Sequence, residues 1–200
     1  MPTDRTDAMI ALPPPKTDGG HSLEEVLGRR RSIRELDTPP LTLAEIGQLL
    51  WSAQGITGAD GLRAAPSAGS LYPLELYVAT AEGVFHYRPR EHDLERTPGA
   101  DVRDELRKAS FDQACMTAPA VFAIAAVFGR VAEKYPEVAD ICVKLEVGHA
   151  AQNLLLQATA LGLAAVPVAA FDPPRLQRAL GLPADQVVCY LIPVGRGHEA

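Results

Sequence analysis

Apolar and polar residues are arranged along the chain in patterns that predict both helices and strands. Ser22 and Thr42 each precede a run with helical apolar spacing, and each is followed three residues later by a glutamate, as in a helix-capping box. The longest such run extends from Glu137 to Leu161, about 37 Å as a helix. The predicted helices span 23–30, 42–55, 101–109, 137–161 and 173–180. Shorter apolar or alternating runs predict strands at 74–79, 84–87, 94–96, 120–128, 163–170 and 187–194.

The order of these elements predicts the fold class. Hairpin-connected strands come early in the chain and strand-helix-strand units come late, which is typical of an α+β sandwich. Residues 1–21 mix aspartates, arginines and the run Pro13-Pro14-Pro15, and we expect them to form an extended N-terminal arm with little core of its own. Residues 22–200 are expected to form a single domain, large enough to bury about 70% of its unfolded surface.

The longest predicted helix carries almost no charge after Glu146, and its centre contains Gly148, Ala150 and Ala151. A helix of this composition must be covered on most of its sides. Small residues at its centre allow another helix or backbone to come close. Two placements satisfy both conditions, at a subunit interface or at the centre of the core, and the sequence leaves both open.

The composition and net charge of the chain limit the kinds of partner that it is expected to bind. The chain has 19 basic and 25 acidic residues, a net charge of −6, so a nucleic acid is not an expected partner. The N-terminal region has no continuous apolar segment, so neither a signal peptide nor a membrane span is expected. The cysteines are odd in number and widely spaced, which predicts reduced thiols in a cytoplasmic protein: Cys115, Cys142 and Cys189.

Four arginines and a serine lie within the six residues Arg29 to Arg34, directly after the first predicted helix. If this segment is extended, Arg30, Ser32 and Arg34 point to one side, where their donors match the oxygens of a phosphate monoester. We call these three residues the phosphate clamp. The alternative is a solvated basic helix end that complements the helix dipole.

A second stretch of interest is the loop from Gly58 to Pro73, which contains several small residues. Small side chains let backbone amides approach a flat ligand, although an ordinary surface turn has the same composition. His86 and His92 have no metal-ligand partners at useful spacing, so no metal site is predicted. No Ser/His/Asp or Cys/His set is present that would indicate a side-chain nucleophile.

Five segments, in this order and spacing, resemble the nitroreductase-like flavoproteins, and within them the SagB-type dehydrogenases, which oxidise azolines to azoles in ribosomally made peptides. The resemblance covers most of the chain from Ser22 to Arg196. The matching segments are Arg30-Arg31-Ser32-Ile33-Arg34, Leu49-Leu50-Trp51-Ser52-Ala53-Gln54-Gly55-Ile56, Pro66-Ser67-Ala68-Gly69-Ser70-Leu71-Tyr72-Pro73, Gly148-His149-Ala150-Ala151-Gln152-Asn153 and Pro167-Val168-Ala169-Ala170-Phe171.

This resemblance implies a three-layer sandwich with a central, mostly antiparallel sheet and a long central helix at the interface of a homodimer. It implies FMN bound at that interface, with the phosphate clamp and Arg196 on the phosphate side, and Pro66 to Ser70 covering the ring from the partner subunit. One backbone amide of Ala169 or Ala170 would donate to flavin N5. The implied cofactor-binding residues are Arg30, Arg31, Ser32, Arg34, Pro66, Ser67, Ala68, Gly69, Ser70, Ala169, Ala170 and Arg196.

The implied activity is an FMN-dependent oxidation of a small heterocycle or peptide azoline. NAD(P)H-dependent reduction of nitro compounds or quinones is the alternative, although Ala169-Ala170 stands where nitroreductases often have Glu-Gly. Likewise, Asp140-Ile141-Cys142 stands where SagB-like relatives have Tyr-Arg-Tyr.

Two alternatives come from other functional classes. One is a flavin-binding or flavin-processing protein without turnover of an organic substrate, and the other is a dimerisation module without cofactor. Tyr72 and Lys144 are polar groups that a substrate could meet, although structural and surface roles fit them as well.

Overall fold

The computed structural model describes residues 9–37 and 39–197, and within these ranges seven strands form one sheet. The strand order is β1-β4-β3-β2-β5-β7-β6, and each neighbouring pair is antiparallel. The strands are β1 (Met9–Ala11), β2 (Leu74–Thr80), β3 (Gly83–Arg88), β4 (Asp93–Arg96), β5 (Ala120–Ala126), β6 (Ala164–Ala165) and β7 (Val187–Gly195). The predicted meander of three early strands is confirmed by β2, β3 and β4.

The α-helices of the same ranges follow the predicted order, with one short addition before the longest helix. They are α1 (Leu23–Arg29), α2 (Leu43–Gln54), α3 (Arg103–Ala109), α4 (Gly129–Ala132), α5 (Ala139–Ala160) and α6 (Pro173–Leu180). Short 3-10 turns at Ala68–Ser70 and Ala114–Thr117 complete the helical structure. The predicted α+β class is confirmed.

Both predicted helix starts are capped as the sequence indicates. The Ser22 hydroxyl accepts a hydrogen bond from the Glu25 amide at 3.1 Å. At the start of α2, Thr42 Oγ1 accepts from the Glu45 amide at 3.2 Å, and the Thr42 amide donates to Glu45 Oε2 at 2.7 Å. This reciprocal pair satisfies two backbone donors that the helix itself leaves free, which fixes where α2 begins.

Helices cover both faces of the sheet, so the domain has three layers. One core contains α2 and α5 residues such as Leu50 and Leu154, packed on one face of the sheet. The other core contains Leu106 of α3 and Leu176 of α6, packed on the opposite face. All four of these side chains are essentially inaccessible to solvent.

The strand β5 shows why a continuous apolar run is needed at the centre of such a domain. Its residues are buried without exception. Successive side chains point to opposite faces, so Phe122 and Ile124 enter the α2/α5 core while Val121 and Ala123 enter the α3/α6 core. A strand with one solvated face would instead alternate apolar and polar residues.

The prediction of a continuous strand over 163–170 is wrong, because only Ala164–Ala165 pairs in regular strand fashion. Pro167 has no amide hydrogen to donate to a ladder. The chain then makes one further bridge, in which Val168 and Leu191 exchange backbone hydrogen bonds at 2.8 and 3.0 Å. Beyond this bridge Ala169 and Ala170 leave the sheet and become exposed.

Part of the predicted N-terminal arm lies on the sheet of its own domain. Residues 1–8 fall outside the described ranges, but Met9–Ala11 pairs with β4 at the sheet edge. Leu12 is buried, and further along the arm Lys16 exchanges two hydrogen bonds with the Gln48 side chain, at 2.8 and 3.0 Å. Leu12 therefore belongs to the α2/α5 core, and hydrogen bonds hold the arm on the domain as far as Lys16.

Candidate functional site

The segment that carries the phosphate clamp is extended and lies against β6 and β7. Helix α1 ends because Arg30 turns to φ −54° and ψ 123°, outside the helical region. Ser32 then forms a parallel bridge with Ala165, whose carbonyl oxygen accepts from the Ile33 amide at 3.0 Å. Further on, the Asp37 amide donates to the Arg196 carbonyl oxygen at 2.7 Å. The extended conformation required by the clamp hypothesis is therefore present.

The arginines of this region differ in whether their side chains already have partners. Arg29 forms an ion pair with Glu25 at 2.9 Å, and Arg31 donates to the carbonyl oxygens of Gly28 and Arg30. By contrast, no described residue accepts a hydrogen bond from the guanidinium of Arg30 or Arg34. These two clamp arginines keep their donors available for a ligand, and Ser32 between them is exposed.

Arg196 reaches the same region from the end of β7, and its side chain is partly engaged. Its Nη2 donates to the two carboxylate oxygens of Glu45, at 2.9 and 3.2 Å. Burial raises the pKa of Glu45, but hydrogen bonds from Thr42 and Arg196 more than offset this effect, and the pKa is lowered overall. No residue in the described ranges accepts a hydrogen bond from the other guanidinium nitrogens of Arg196, so they remain able to bind an anion.

Ala169 and Ala170 are exposed where the chain leaves the sheet, close to the bridge between Val168 and β7. Their backbone amides have no acceptor among the residues that the structure describes. The Ala170 carbonyl oxygen is held by Gln113 Nε2 at 3.0 Å, which orients this peptide. Two free amide donors thus lie on the strand connection that also carries Ala165, the residue that binds the clamp segment.

The loop Pro66 to Ser70 lies elsewhere in the chain. Gly69 has a positive φ of 60°, and a Cβ atom at this position would come within 3.0 Å of the Tyr135 ring. Ser70 and Tyr72 also have positive φ values, of 55° and 46°, so the loop has an uncommon backbone conformation for non-glycine residues. No hydrogen bond or ion pair of residues 66–70 reaches the clamp, Ala169, Ala170 or Arg196 in the described part of the chain.

Behind this loop lies a partly buried polar cluster formed by Gln54, Arg63, Ser67, Tyr72 and Glu146. Sequence reasoning named Ser67 and Tyr72 but missed Gln54, Arg63 and Glu146. Glu146 is 2% exposed. Arg63 Nη1 donates to Gln54 Oε1 at 2.9 Å, and the guanidinium lies 4.6 Å from the centre of the Tyr72 ring. The Tyr72 amide donates to the Ser67 hydroxyl at 2.9 Å. A lone glutamate within an apolar stretch of a predicted buried helix was the available sign.

Burial raises the pKa of Glu146, and the Ser67 hydroxyl, the Arg63 charge and the Gln54 amide oppose that rise only in part. Next to the cluster, Glu75 behaves in the opposite way. Burial raises its pKa too, but hydrogen bonds from His86 and Arg130 dominate and lower the pKa overall. Burial therefore favours a neutral Glu146, whereas Glu75 is favoured as a carboxylate.

Lys144, His86 and His92 belong neither to the phosphate clamp nor to the cluster around Glu146. Lys144 is exposed and forms an ion pair with Asp140 at 2.7 Å. His86 is bound to Glu75, at 2.8 Å, and His92 to Tyr87 and the Pro13 carbonyl oxygen. Within the described ranges, no group of three or more histidine, cysteine or acidic residues is placed to hold a metal ion.

A cavity of 580 Å³ lies among α2, α3 and the ends of β2 and β3, and none of the predicted site residues lines it. Four of the charged side chains along its wall form ion pairs, Arg103 with Asp101 and Arg107 with Asp104. The surface of the cavity is mostly apolar, and these four charged side chains are already engaged with each other. In the part of the chain that the structure describes, no helix has the length and apolar character needed to cross a bilayer.

Comparisons with known proteins agree with the fold described above. The model of the Nitroreductase family matches residues 27–196. A candidate nitroreductase of Methanocaldococcus jannaschii is 40% identical over 184 residues, covering 88% of this chain and 92% of the relative. The crystal structure of a candidate nitroreductase from Ralstonia eutropha JMP134 has a TM-score of 0.88 and 29% identity, over 99% of this chain and 93% of that one.

A more distant structure shares the fold alone. It belongs to the E. coli microcin synthetase McbBCD complex with truncated pro-MccB17 bound. The TM-score is 0.75 at 20% identity, over 86% of this chain and 70% of the other.

Proposed function

Because the chain belongs to the nitroreductase family and is therefore an oxidoreductase, we propose that it uses FMN as its redox group. The observation that carries this proposal is that the guanidinium groups of Arg30 and Arg34 have no hydrogen-bond partner among the described residues, with the exposed Ser32 between them on an extended segment. A terminal phosphate needs several donors arranged in this way. Riboflavin, which has no phosphate, would leave them unused.

The residues present fit an FMN phosphate. Charge-assisted hydrogen bonds contribute about 1.5–3 kcal/mol each, so three or four of them are enough to retain the cofactor. Arg30, Ser32 and Arg34 supply them from the clamp, and the free nitrogens of Arg196 add to them from the end of β7. Arg31 belongs to the same proposed set, although its side chain is committed to backbone carbonyl oxygens in the free chain.

The amides of Ala169 and Ala170 fit the polar edge of a flavin. When bound, FMN supplies the two-electron chemistry by accepting or delivering a hydride at N5. Neither amide hydrogen has an acceptor among the described residues, and both would orient that edge. In the proposed site the protein contributes orientation and electrostatics, and no side-chain nucleophile.

We further propose that the active unit is a homodimer formed through α5. One side of this helix exposes Ile141 and Leu145, each 57% exposed, followed by Gly148 and Gln152. These positions recur at intervals of three or four residues and so form one stripe along the helix. Two exposed large apolar residues followed by a glycine on the same side of a helix are suited to close packing against a second helix. This arrangement would bring residues 66–70 of each subunit to the flavin of the other.

For the substrate, we propose a small heterocycle or a peptide azoline, which the protein would oxidise in the manner of the SagB-type dehydrogenases. The five matching sequence segments support this subgroup. The alanine at position 169 also supports it, because many NAD(P)H-dependent nitroreductases have a glutamate there. The alternative, NAD(P)H-dependent reduction of nitro compounds or quinones, is favoured by the 40% identity to a candidate nitroreductase.

Two assays on the purified, FMN-loaded protein distinguish these substrates. Oxygen consumption with an azoline peptide, without nicotinamide, supports the dehydrogenase. NAD(P)H oxidation that depends on an added quinone or nitroaromatic compound supports the reductase. Tight FMN binding without turnover in either assay would instead support a flavin-binding or flavin-processing function.

A further inference from the structure

Glu146 and Gln54 face each other in the core with unused hydrogen-bonding capacity. Glu146 is 2% exposed, and neither of its carboxyl oxygens has a well-aligned hydrogen-bond partner among the described residues. The Nε2 atom of Gln54 is also buried, and it has no hydrogen-bond partner among the described residues. Buried polar groups are almost always paired in native proteins. Two such groups side by side, beneath the loop proposed to cover the flavin, therefore indicate a functional arrangement.

The neighbours of Glu146 are fixed by other contacts. Gln54 uses its oxygen to accept from Arg63, which leaves its NH2 group for Glu146. The Ser67 hydroxyl oxygen accepts from the Tyr72 amide and lies beside the Glu146 carboxyl. Ser67 is thus the link between the buried acid and the outer surface of residues 66–70.

The protonation state of Glu146 decides which way the Ser67 hydroxyl points. A neutral carboxyl has one hydrogen to donate, which Ser67 Oγ can accept, and its other oxygen can accept from the Gln54 NH2 group. Ser67 Oγ then accepts twice, from Glu146 and from the Tyr72 amide, and its own hydrogen is directed outward. An ionised carboxylate can only accept, so Ser67 turns its hydrogen inward and exposes a lone pair.

The charged and titratable groups around Glu146 come from three elements. The loop from Gly58 to Pro73 supplies Arg63 and Tyr72, strand β2 supplies Glu75, and α4 supplies Arg130, which together with Glu75 acts on Arg63. Lys134 and Tyr135 lie over Gly69 on the outer side of the loop. Of these groups only Arg63 acts directly on Glu146 by charge, and it is already engaged by Gln54 and the Tyr72 ring.

We propose that Glu146 is a positioning residue of the flavin site: in its neutral form it holds Ser67 as a hydrogen-bond donor toward an acceptor atom of the flavin ring. The inference rests on the proposed function, which places residues 66–70 over the ring bound by the partner subunit. It adds a buried acid that controls cofactor binding from behind this loop. Ionisation of Glu146 withdraws the donor and weakens FMN binding.

The test is a titration of FMN into flavin-free protein over a range of pH, followed by fluorescence quenching. The wild-type Kd is expected to rise about tenfold as Glu146 ionises, the equivalent of one hydrogen bond. Glu146→Gln keeps a donor toward Ser67, so we expect tight binding at every pH. Glu146→Ala and Ser67→Ala should bind weakly at every pH. Glu105→Gln, which removes the same charge from an exposed position of α3, is the matched control and should follow the wild-type profile.

An infrared difference spectrum of the flavin-free wild type against Glu146→Gln, recorded at a series of pH values above 4.5, checks the protonation state separately. The carbonyl stretch of a neutral carboxylic acid is expected only in the wild type, and its absence would overturn the inference. The inference also fails if wild type and Glu146→Gln show the same pH profile, or if Glu146→Gln binds as weakly as Glu146→Ala. A wild-type protein that binds no FMN at any pH would instead overturn the proposed function, and this inference with it.

Discussion

Glu45 and Arg196 form an ion pair across 151 positions of the chain, with Arg196 Nη2 at 2.9 and 3.2 Å from the two carboxylate oxygens. The same carboxylate completes the capping box of α2. One side chain therefore connects the start of α2 to the end of β7, where the clamp segment also lies. This connection holds Arg196 in the region where the proposed phosphate site is formed.

The Glu45 carboxylate should stabilise the protein in a pH-dependent way. Its folded-state pKa lies below the ordinary value of 4.5, so its contribution is complete above that pH and is lost as pH falls through the folded pKa. Glu45→Gln is expected to lower the free energy of unfolding by about 1 kcal/mol near neutral pH, and by less in acid. Denaturant titrations at several pH values measure this. Glu24→Gln, in the first turn of α1, is the control, and an equal loss at every pH for Glu45→Gln would contradict the account.

Glu146 should show the opposite pH dependence. Its folded-state pKa lies above 4.5, so the stability that it contributes is complete below that pH and is lost as pH rises through the folded pKa. Relative to wild type, Glu146→Gln should therefore become more stable as pH rises, by at most about 1.4 kcal/mol per pH unit. The measurement is the unfolding free energy of the flavin-free protein. A stability difference that stays constant or shrinks with rising pH would show that burial does not keep Glu146 neutral.

The clamp predicts a selective loss of cofactor. Arg30→Ala or Arg34→Ala should weaken FMN binding by about 10- to 150-fold, since each removes one charge-assisted hydrogen bond. Both proteins should remain folded, because neither guanidinium has a partner within the described ranges. Arg29→Ala is the matched control, since Arg29 is bound to Glu25 and lies outside the proposed site. Wild-type flavin occupancy in both clamp variants would remove the assignment.

The proposed dimer makes a prediction at Gly148 that a monomer would not. A Cβ atom at this position meets nothing within 4 Å in the single chain. Alanine should therefore stabilise an isolated α5 by about 1 kcal/mol through helix propensity. If a partner helix packs on this glycine, Gly148→Ala should instead weaken the dimer and lower flavin occupancy. Sedimentation velocity measures the assembly of the Gly148→Ala protein, and thermal unfolding measures its stability. A more stable protein with an unchanged assembly would count against packing at Gly148.

Local patterns in the sequence predicted most of the fold. The capping spacings at Ser22 and Thr42 fixed two helix starts, and the apolar run of β5 indicated a strand covered on both faces. The prediction of a continuous strand over 163–170 was wrong because hydrogen bonding around Pro167 depends on the partner strand. Periodicity alone does not contain that information.

The candidate site was predictable only in part. The clamp could be recognised because Arg30, Ser32 and Arg34 are close in sequence, and the same holds for the small residues of the loop at 66–70. The cluster around Glu146 could not, because Gln54, Arg63 and Glu146 come together only when α2, the loop and α5 pack. The division between free and paired arginines likewise depends on tertiary contacts, such as that of Arg196 with Glu45.

The measurement that tests the central claim most directly is a visible absorbance spectrum of the purified protein, followed by heat release and identification of the chromophore. The account predicts a yellow protein that releases FMN in an amount stoichiometric with the chain. A colourless protein that also fails to bind added FMN would contradict it, and the free arginines of the clamp would then require another ligand.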